Sequence, residues 1–469
     1  MQLPQALLQD LEGVKGFERN AFIDVHQSGA QITSVRFNPS KMASDGKRDL
    51  KHFTASSQLT LQELIPWSAW GYYLEKRPSF TFDPLFHAGT YYVQEASSMF
   101  LEQALSQTID LSKTLTVLDL CAAPGGKSTH IQSLLSADSL LVSNEVIKNR
   151  AGILRQNILK WGSSNVVVTN NDPQHFARLG GFFDVMVVDA PCSGSGLFRR
   201  DSEAIREWSE DAVQLCCGRQ KRILADALPA LKEEGILIYS TCSYSPAEDE
   251  DLADWLVGEM DLESLQLKVE EGWGVVETES GIAKAWGYRF FPDKVKGEGF
   301  YLAAFKRKTK SAETRLKGAR LEKATAKEAG IVQPWLNTRD VELFKHHSLY
   351  ALPAPLVEQY KLVKEALNVQ YAGIAMGEVM KEKLVPDHAL ALSPMLAQTV
   401  PNTEIDYTTA IRYLQRADMQ VETGTKGWQT VSYAGHNLGW INALQNRINN
   451  YYPKELRILK QSDDAAFEK

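Results

Sequence analysis

Hydrophobic positions in residues 116–308 run in short unbroken blocks separated by longer stretches of mixed polarity. TVLDL (116–120), LLVSNE (140–145), NVVVTNND (165–172), FDVMVVDAP (183–191) and GILIYSTCS (235–243) are rich in Val, Ile and Leu without polar alternation. That is the pattern of strands covered on both faces. Helical spacing fills the gaps: a helix over Lys127–Leu135, a second in KNRAGILRQNILKWG closed by Gly162, and a long helical stretch from Glu203 to Glu234 in which Cys216 and Cys217 serve packing. PAEDEDLADWLVGEM makes a helix after the fifth strand, and GFYLAAFKRK (299–308) closes the sheet against an antiparallel strand near Gly287–Phe291. The pattern predicts an α/β fold with a mostly parallel, seven-stranded sheet and helices on both faces. Ligands of such sheets lie at the carboxyl ends of the strands.

The flanks follow different patterns. Residues 1–75 predict short helices and then a strand in GAQITSVRFNPSK, and the second half of HAGTYYVQEASSMFLEQAL is helical. Arg36, His87 and Glu95 in this lead-in read as structural or solvated. Beyond Lys310, TKSAETRLKGARLEKATAKEAG is basic and helical without a strong apolar face, a linker or arm, and residues 331–395 form a small domain with no readable period. A compact unit reappears from Pro401 to Ile458, with a helix in IDYTTAIRYLQRADM and a hairpin in GWQTVSYAGHNLGWINAL. There Tyr433, Trp440, Tyr451 and Tyr452 interleave with Arg447, Lys454 and Arg457, a mixture suited to stacking bases while neutralising phosphates. A small core with a solvated rim fits the same composition.

Composition narrows the class. With 44% hydrophobic and 23% charged residues over 469 positions, the chain has the make-up of an ordinary globular protein of two to four domains. No apolar run approaches the roughly 20 residues needed to cross a bilayer, and the N-terminus lacks the features of a signal peptide. The expected location is the cytoplasm. Five cysteines without a Cys-x-x-Cys pair indicate neither a disulfide framework nor a metal site. The net charge of −7 conceals a basic stretch, since acids cluster at Glu248–Asp254 and Asp261–Glu271 while Lys306–Lys327 holds nine Lys or Arg against two Glu.

The chemistry centres on TVLDLCAAPGGKSTH (116–130), which reads as strand, glycine turn and helix. Gly125 and Gly126 let a ligand approach the main chain, and the first helical amides suit a carboxylate or phosphate. Cys121 stands where a phosphate-binding loop needs its first glycine, and the three-glycine dinucleotide fingerprint is absent. A small zwitterion carrying a nucleoside fits better, which points to S-adenosylmethionine. Glu145, about twenty residues on at the second strand tip, is placed for ribose hydroxyls, and Asp172 at the third for an adenine amino group.

Two thiols share the same edge, Cys192 in DAPCSGSG and Cys242 in STCSYSP. Where methyltransferases acting on amino groups carry a stacking aromatic, this chain has Cys192 after Asp189-Ala190-Pro191. Covalent chemistry is implied, because carbon 5 of a pyrimidine attacks a sulfonium methyl only after a thiolate has added to carbon 6. Asp189 is placed to protonate or hydrogen-bond ring nitrogen 3. Spacing does not decide which thiol attacks.

LDLCAAPGGKSTH, NEVIKNR, NND, VVDAPCSGSGLFRR, YSTCSYSPAEDE and the upstream YYVQEASSM together resemble the motif series of the Nol1/Nop2/Sun RNA 5-methylcytosine methyltransferases, from about Arg36 to Lys308. GWQTVSYAGHNLGWINALQNRINNYYPKELR is similar to the PUA-like RNA-binding tail of a bacterial member. The resemblance implies a Rossmann-like S-adenosylmethionine methyltransferase core at 101–309, an N-terminal α/β RNA-binding lead-in at 1–100, a basic linker at 310–330, a small C-terminal domain at 331–395 and a PUA-like α+β domain at 396–469. It implies that Cys242 is the nucleophile and that Cys192 assists release of the methylated RNA. Cys121, through its backbone, Ala122, Ala123, Pro124, Gly125, Gly126, Lys127, Glu145, Asp172 and Asp189 would contact S-adenosylmethionine, with no metal and no obligate protein partner. The implied substrate is a cytidine in the decoding region of small-subunit ribosomal RNA on an assembled subunit. Methylation of another RNA such as transfer RNA, of DNA, or an RNA-binding assembly role with secondary methylation are the competing readings.

Overall fold

The computed structural model describes residues 2–44, 47–48, 50–310, 316–445 and 447–460. Parts of two expected segments, 311–315 of the basic linker and 461–469 of the tail, therefore lie outside the described residues. Five parallel strands form the centre: β1 (Thr116–Asp119), β2 (Leu140–Asn144), β3 (Val166–Thr169), β4 (Phe183–Asp189) and β5 (Leu231–Thr241), side by side as β3-β2-β1-β4-β5. Their side chains are almost wholly buried, which is why the sequence shows unbroken apolar runs rather than alternation. α1 (Gly126–Leu134) and α2 (Lys148–Trp161) connect the first three strands, and α3 (Glu210–Ala227) connects β4 to β5. α4 (Glu250–Gly258) follows β5, after which β6 (Trp286–Phe290) and β7 (Phe300–Arg307) continue the sheet antiparallel in the order β5-β7-β6.

Those are the seven expected strands, but the sheet has ten and is mixed. Leu262–Leu265 pairs with β7, Val276–Glu279 with β6, and Val369–Ala372 with β3. The last comes from the segment that showed no readable period, so that segment is joined to the core by a strand. Its remaining strands, ending at Lys383–Pro386, form a separate five-stranded antiparallel sheet together with Glu322–Lys323 from the expected linker.

Two helix expectations need correction. The stretch Glu203–Glu234 breaks at Ser209, whose hydroxyl caps α3 by accepting from the Ala212 amide at 3.1 Å, and it stops before Pro229, which removes a backbone donor, so that Leu231 already starts β5. Within the basic stretch after Lys310, only Ala326–Val332 is helical among the described residues. Leu321 is buried there and the Ala319 amide donates to the Lys361 carbonyl, so this stretch is laid against the small domain.

The N-terminal segment packs on the core at two places. Its four-stranded antiparallel sheet carries Arg36 on Ser34–Phe37, and its helices Gln5–Asp10 and Arg19–Gln27 bury Leu7, Leu8 and Phe22 against Phe198, Tyr244 and Phe291. At the other end Tyr433 donates to the Ser56 carbonyl, so the C-terminal domain folds back on the N-terminal one.

Burial lowers the pKa of His26, His87 and His130 to about 4 and that of His388 to about 3. The unfolded chain binds those protons near the ordinary value of about 6.5, so their contribution to stability is present above that pH and is lost as the pH falls towards the folded values. Asp119 and Glu298, raised to about 7 by burial, act in the opposite sense over the same range. The histidine effect is therefore read by difference: relative to the parent, His388→Gln should gain about 2 kcal/mol between pH 7.5 and pH 5. A gap between the two denaturation curves that does not change with pH would refute this.

Candidate active site

β1 delivers Asp119 to the start of the loop, and α1 begins at Gly126, directly behind Gly125, which has φ +115°. Any side chain there would be strained. Gly125 offers no side-chain cap to α1, so the first amides of the helix are left to a ligand or to water. The loop is pinned from α2, where Arg150 donates to the Ala123 carbonyl and Asn157 to the Pro124 carbonyl, each at 2.8 Å. Ala122 donates to the Asn144 carbonyl at 2.8 Å. Arg36 reaches across from the N-terminal sheet, buried, to Thr129 Oγ1 at 2.6 Å and to Gln94 Oε1 at 2.9 Å, with its guanidinium 4.7 Å from the Trp161 ring centre. Arg36 is thus a strut for α1, in line with its structural reading.

Asp119 is a residue the sequence reading passed over. It is fully buried, its Oδ2 accepts from Ser128 at 2.6 Å, and its Oδ1 has no partner among the described residues. Burial pushes its pKa up to about 7, helped by the charges of Asp189 and Glu145. A buried acceptor left unmatched by the protein costs on the order of 1–3 kcal/mol, and a ligand ammonium would match it. The signal was present, since Asp119 is a strand-end acid like Glu145 and Asp189.

Glu145 and Asp172 each accept one local amide, and each has an arginine 3.5 Å away, Arg150 at Glu145 Oε2 and Arg222 at Asp172 Oδ1. Glu145 accepts from the Ile147 amide at 2.9 Å, and Asp172 from the Gln174 amide at 3.2 Å as the cap of a short helical turn. A carboxylate has about four acceptor sites, so these turns leave capacity for ribose and adenine donors. Burial and surrounding acids push the Cys121 thiol well above its usual range, which leaves its backbone as the useful part.

The tips of β4 and β5 complete the site. Asp189 pairs in register with Ser240, whose hydroxyl donates to Asp189 Oδ1 at 2.9 Å, and Lys127 at the start of α1 places its ammonium 2.8 Å from Asp189 Oδ2. The glycine loop and the fourth strand tip are thereby joined. Just beyond them the Sγ atoms of Cys192 and Cys242 lie 3.1 Å apart. Cys192 is held as the protonated thiol by its hydrogen bond with Cys242, by burial, and by the negative charge of Glu248. Behind the thiols, Phe198 and Tyr244 rest on the N-terminal helices, with Tyr244 edge-on to Phe22 at 5.0 Å.

In the C-terminal domain the aromatic reading is corrected in part. Trp440 and Tyr452 are core residues, buried against Trp335 and Tyr413. Tyr451 is exposed and packs edge-on to Trp428 at 4.3 Å.

Family models cover three stretches: 16S rRNA methyltransferase RsmB/F matches residues 106–306, the N-terminal domain of 16S rRNA methyltransferase RsmF matches 3–96, and the methyltransferase RsmF PUA domain matches 400–458. A ribosomal RNA small subunit methyltransferase F from Psychromonas ingrahamii is 30% identical over 97% of both chains. The chain belongs to the RsmB/F methyltransferase family. A second RsmB/F relative of the same description, from Shewanella piezotolerans, is 31% identical over 84% of this chain and 85% of its own. Among solved structures, a methyltransferase homolog from Pyrococcus horikoshii aligns with a TM-score of 0.52 at 29% identity, covering 65% of this chain and all of that one. NSun6 of the same organism, crystallised with SFG, aligns at 0.53 over 65% of this chain and 97% of its own, and at 17% identity it shows the fold alone. As an RsmB/F member the chain is an S-adenosylmethionine-dependent methyltransferase. No helix among its described residues is long and apolar enough to cross a membrane.

Proposed function

We propose that this chain methylates carbon 5 of a cytidine in small-subunit ribosomal RNA, in the decoding region of an assembled subunit in the cytoplasm, through a covalent adduct between Cys242 and carbon 6. The observation that carries this reading is the pair of thiols 3.1 Å apart beside the Lys127–Asp189 ion pair. A methyltransferase acting on nitrogen has no use for two sulfurs there.

The amides at the start of α1 would hold the carboxylate of S-adenosylmethionine, Asp119 its ammonium, Glu145 the ribose and Asp172 the adenine. When bound, that molecule supplies an electrophilic methyl group. The Cys242 thiolate adds to carbon 6, and the electrons of the carbon 5–carbon 6 double bond move into the ring to give an enamine nucleophilic at carbon 5. Asp189 accepts from Ser240 and Lys127, so the donor this pair offers to the charge developing on ring nitrogen 3 is the Lys127 ammonium that Asp189 holds in place. In the last step a base takes the carbon 5 proton, the double bond re-forms and the Cys242–carbon 6 bond breaks, with Cys192 assisting. The target base has to leave its stack to reach thiols at the sheet edge.

An RNA substrate is supported by the relatives' names and by the PUA match. It is supported too by a groove of about 850 Å³ in the C-terminal domain, lined by Arg416, Arg447, Lys454 and exposed Tyr451. Cations beside a partly exposed aromatic ring suit phosphate and base. The test is transfer of labelled methyl to small subunits from cells lacking the protein, followed by bisulfite mapping. One newly protected cytidine is expected. Label on an exocyclic nitrogen or on duplex DNA would overturn the reaction assigned, and label confined to transfer RNA would overturn the substrate.

A further inference from the structure

Glu248 lies in the acidic run Pro246–Asp251, and its carboxylate is completely buried. Four donors converge on it. Ser193 Oγ and Ser243 Oγ reach Oε2 at 2.5 and 2.6 Å, while the Ser193 amide and Gln220 Nε2 reach Oε1 at 2.9 and 3.0 Å. Ser193 is the residue after Cys192, and Ser243 is the residue after Cys242. The two hydroxyls lie 3.3 Å apart, and Gln220 donates as well to the Pro191 carbonyl, immediately before Cys192, at 3.1 Å. One carboxylate therefore ties together the two chain segments that carry the thiols, each at the position next to its sulfur.

We propose that Glu248 is a positioning residue that sets the alignment of Cys192 with the Cys242 adduct, so that its loss slows release of the methylated RNA more than it slows attack. The inference rests on the two-thiol reading above. The backbone of β4 and β5 ends at Asp189 and Thr241; beyond those residues the Gly196 amide donates to the Cys242 carbonyl at 2.8 Å and the Tyr244 amide to Ser195 Oγ at 2.8 Å, and among the described residues Glu248 is the carboxylate that joins the positions next to both sulfurs. A carboxylate is fitted to the task because it accepts only, and all four groups facing it donate. An amide in its place would turn a donor on at least one of them, and supports of this kind around a reacting group are worth on the order of 10–100-fold when removed.

The test uses the full chain with small subunits and compares adduct formation with adduct decay in single-turnover experiments on denaturing gels. Glu248→Gln is expected to slow adduct decay about 10- to 100-fold, to slow formation less, and to leave KM for S-adenosylmethionine unchanged. Glu248→Asp should recover part of the decay rate. A purely structural role would lower the amount of folded enzyme and leave the decay constant of the remainder as in the parent, and that outcome overturns the proposal. Should Glu248→Gln fail to fold, Ser193→Ala removes one tie at a half-buried position and carries the same expectation, and parental decay in it equally overturns the proposal. Cys192→Ala separates the two readings: if it accumulates no adduct, the two-thiol mechanism fails, whereas if it does and Glu248→Gln decays like the parent, only the role of Glu248 fails.

Discussion

Cys242→Ala is expected to abolish methyl transfer, a loss of roughly 10⁴-fold or more, and to give no adduct with RNA. Cys192→Ala is expected to accumulate a covalent enzyme–RNA species that survives a denaturing gel. The difference follows from the division of labour at one pair of sulfurs. The hydrogen bond between the two thiols, burial and nearby Glu248 push the Cys192 pKa up, and the roles proposed for the two sulfurs follow the motifs that carry them, Thr-Cys-Ser for attack and Pro-Cys-Ser for release. At 3.1 Å from Cys242, Cys192 is near enough to act on the bond that must break, and its removal leaves attack possible while withdrawing help from release. Adduct in the Cys242 variant and none in the Cys192 variant would exchange the two roles.

The reach of the sequence varied with how far apart interacting residues lie. β1 to β5 were legible because burial on both faces leaves apolar runs that need no partner to be recognised, and parallel register lines up their ends, Asp119 with Ser143 and Asp189 with Ser240, which is where candidate residues could be sought even though Asp119 itself was passed over. The pairing of Val369–Ala372 with β3 had no local signature, since its partner lies two hundred residues away. Trp440 and Tyr451 look alike in a string of aromatics, and only the fold separates the ring buried on the strand His436–Ala443 from the exposed one that follows the strand Ile448–Asn450. The least legible feature was the run Glu248-Asp249-Glu250. In sequence it is an acidic cluster of the kind that lies on a solvated face, yet all three are buried and partnered: Glu248 by the two serines, Asp249 by the Thr241 hydroxyl and Arg289, and Glu250 by the Thr278 hydroxyl and the same Arg289. Consecutive charges can be buried only when partners come from elsewhere in the chain. One of them, Arg289, is thirty-nine residues beyond Glu250.

Arg289→Met is accordingly expected to be the most destabilising single change near the site. The guanidinium lies on β6, buried, with Nε 2.7 Å from Glu250 Oε1, Nη2 bonded to Glu250 Oε2 and 3.1 Å from Asp249 Oδ2, and Nη1 donating to the Tyr244 carbonyl at 2.8 Å. Its loss strands two buried carboxylates and releases the segment after Cys242, for which breaking a buried ion pair costs about 3–5 kcal/mol. Thermal unfolding should fall by about 3–5 °C. The sign of its pH dependence is diagnostic. Burial already pushes the Asp249 pKa well up against the pull of Arg289, whereas Glu250 is held down by Arg289 and its hydrogen bonds. Without the guanidinium both carboxyls bind protons in the folded state that they do not bind when unfolded, so the variant should lose stability as pH rises, and its deficit against the parent should be larger at pH 8 than at pH 5. Arg289→Lys keeps the charge but not the fork, and should fall between. Replacing all three together, as Asp249→Asn, Glu250→Gln and Arg289→Met, should recover much of the loss, because no uncompensated charge remains. A single Arg289→Met costing less than about 1 kcal/mol at pH 8 would mean that water reaches these carboxylates, and the buried clamp behind Cys242 would have to be abandoned.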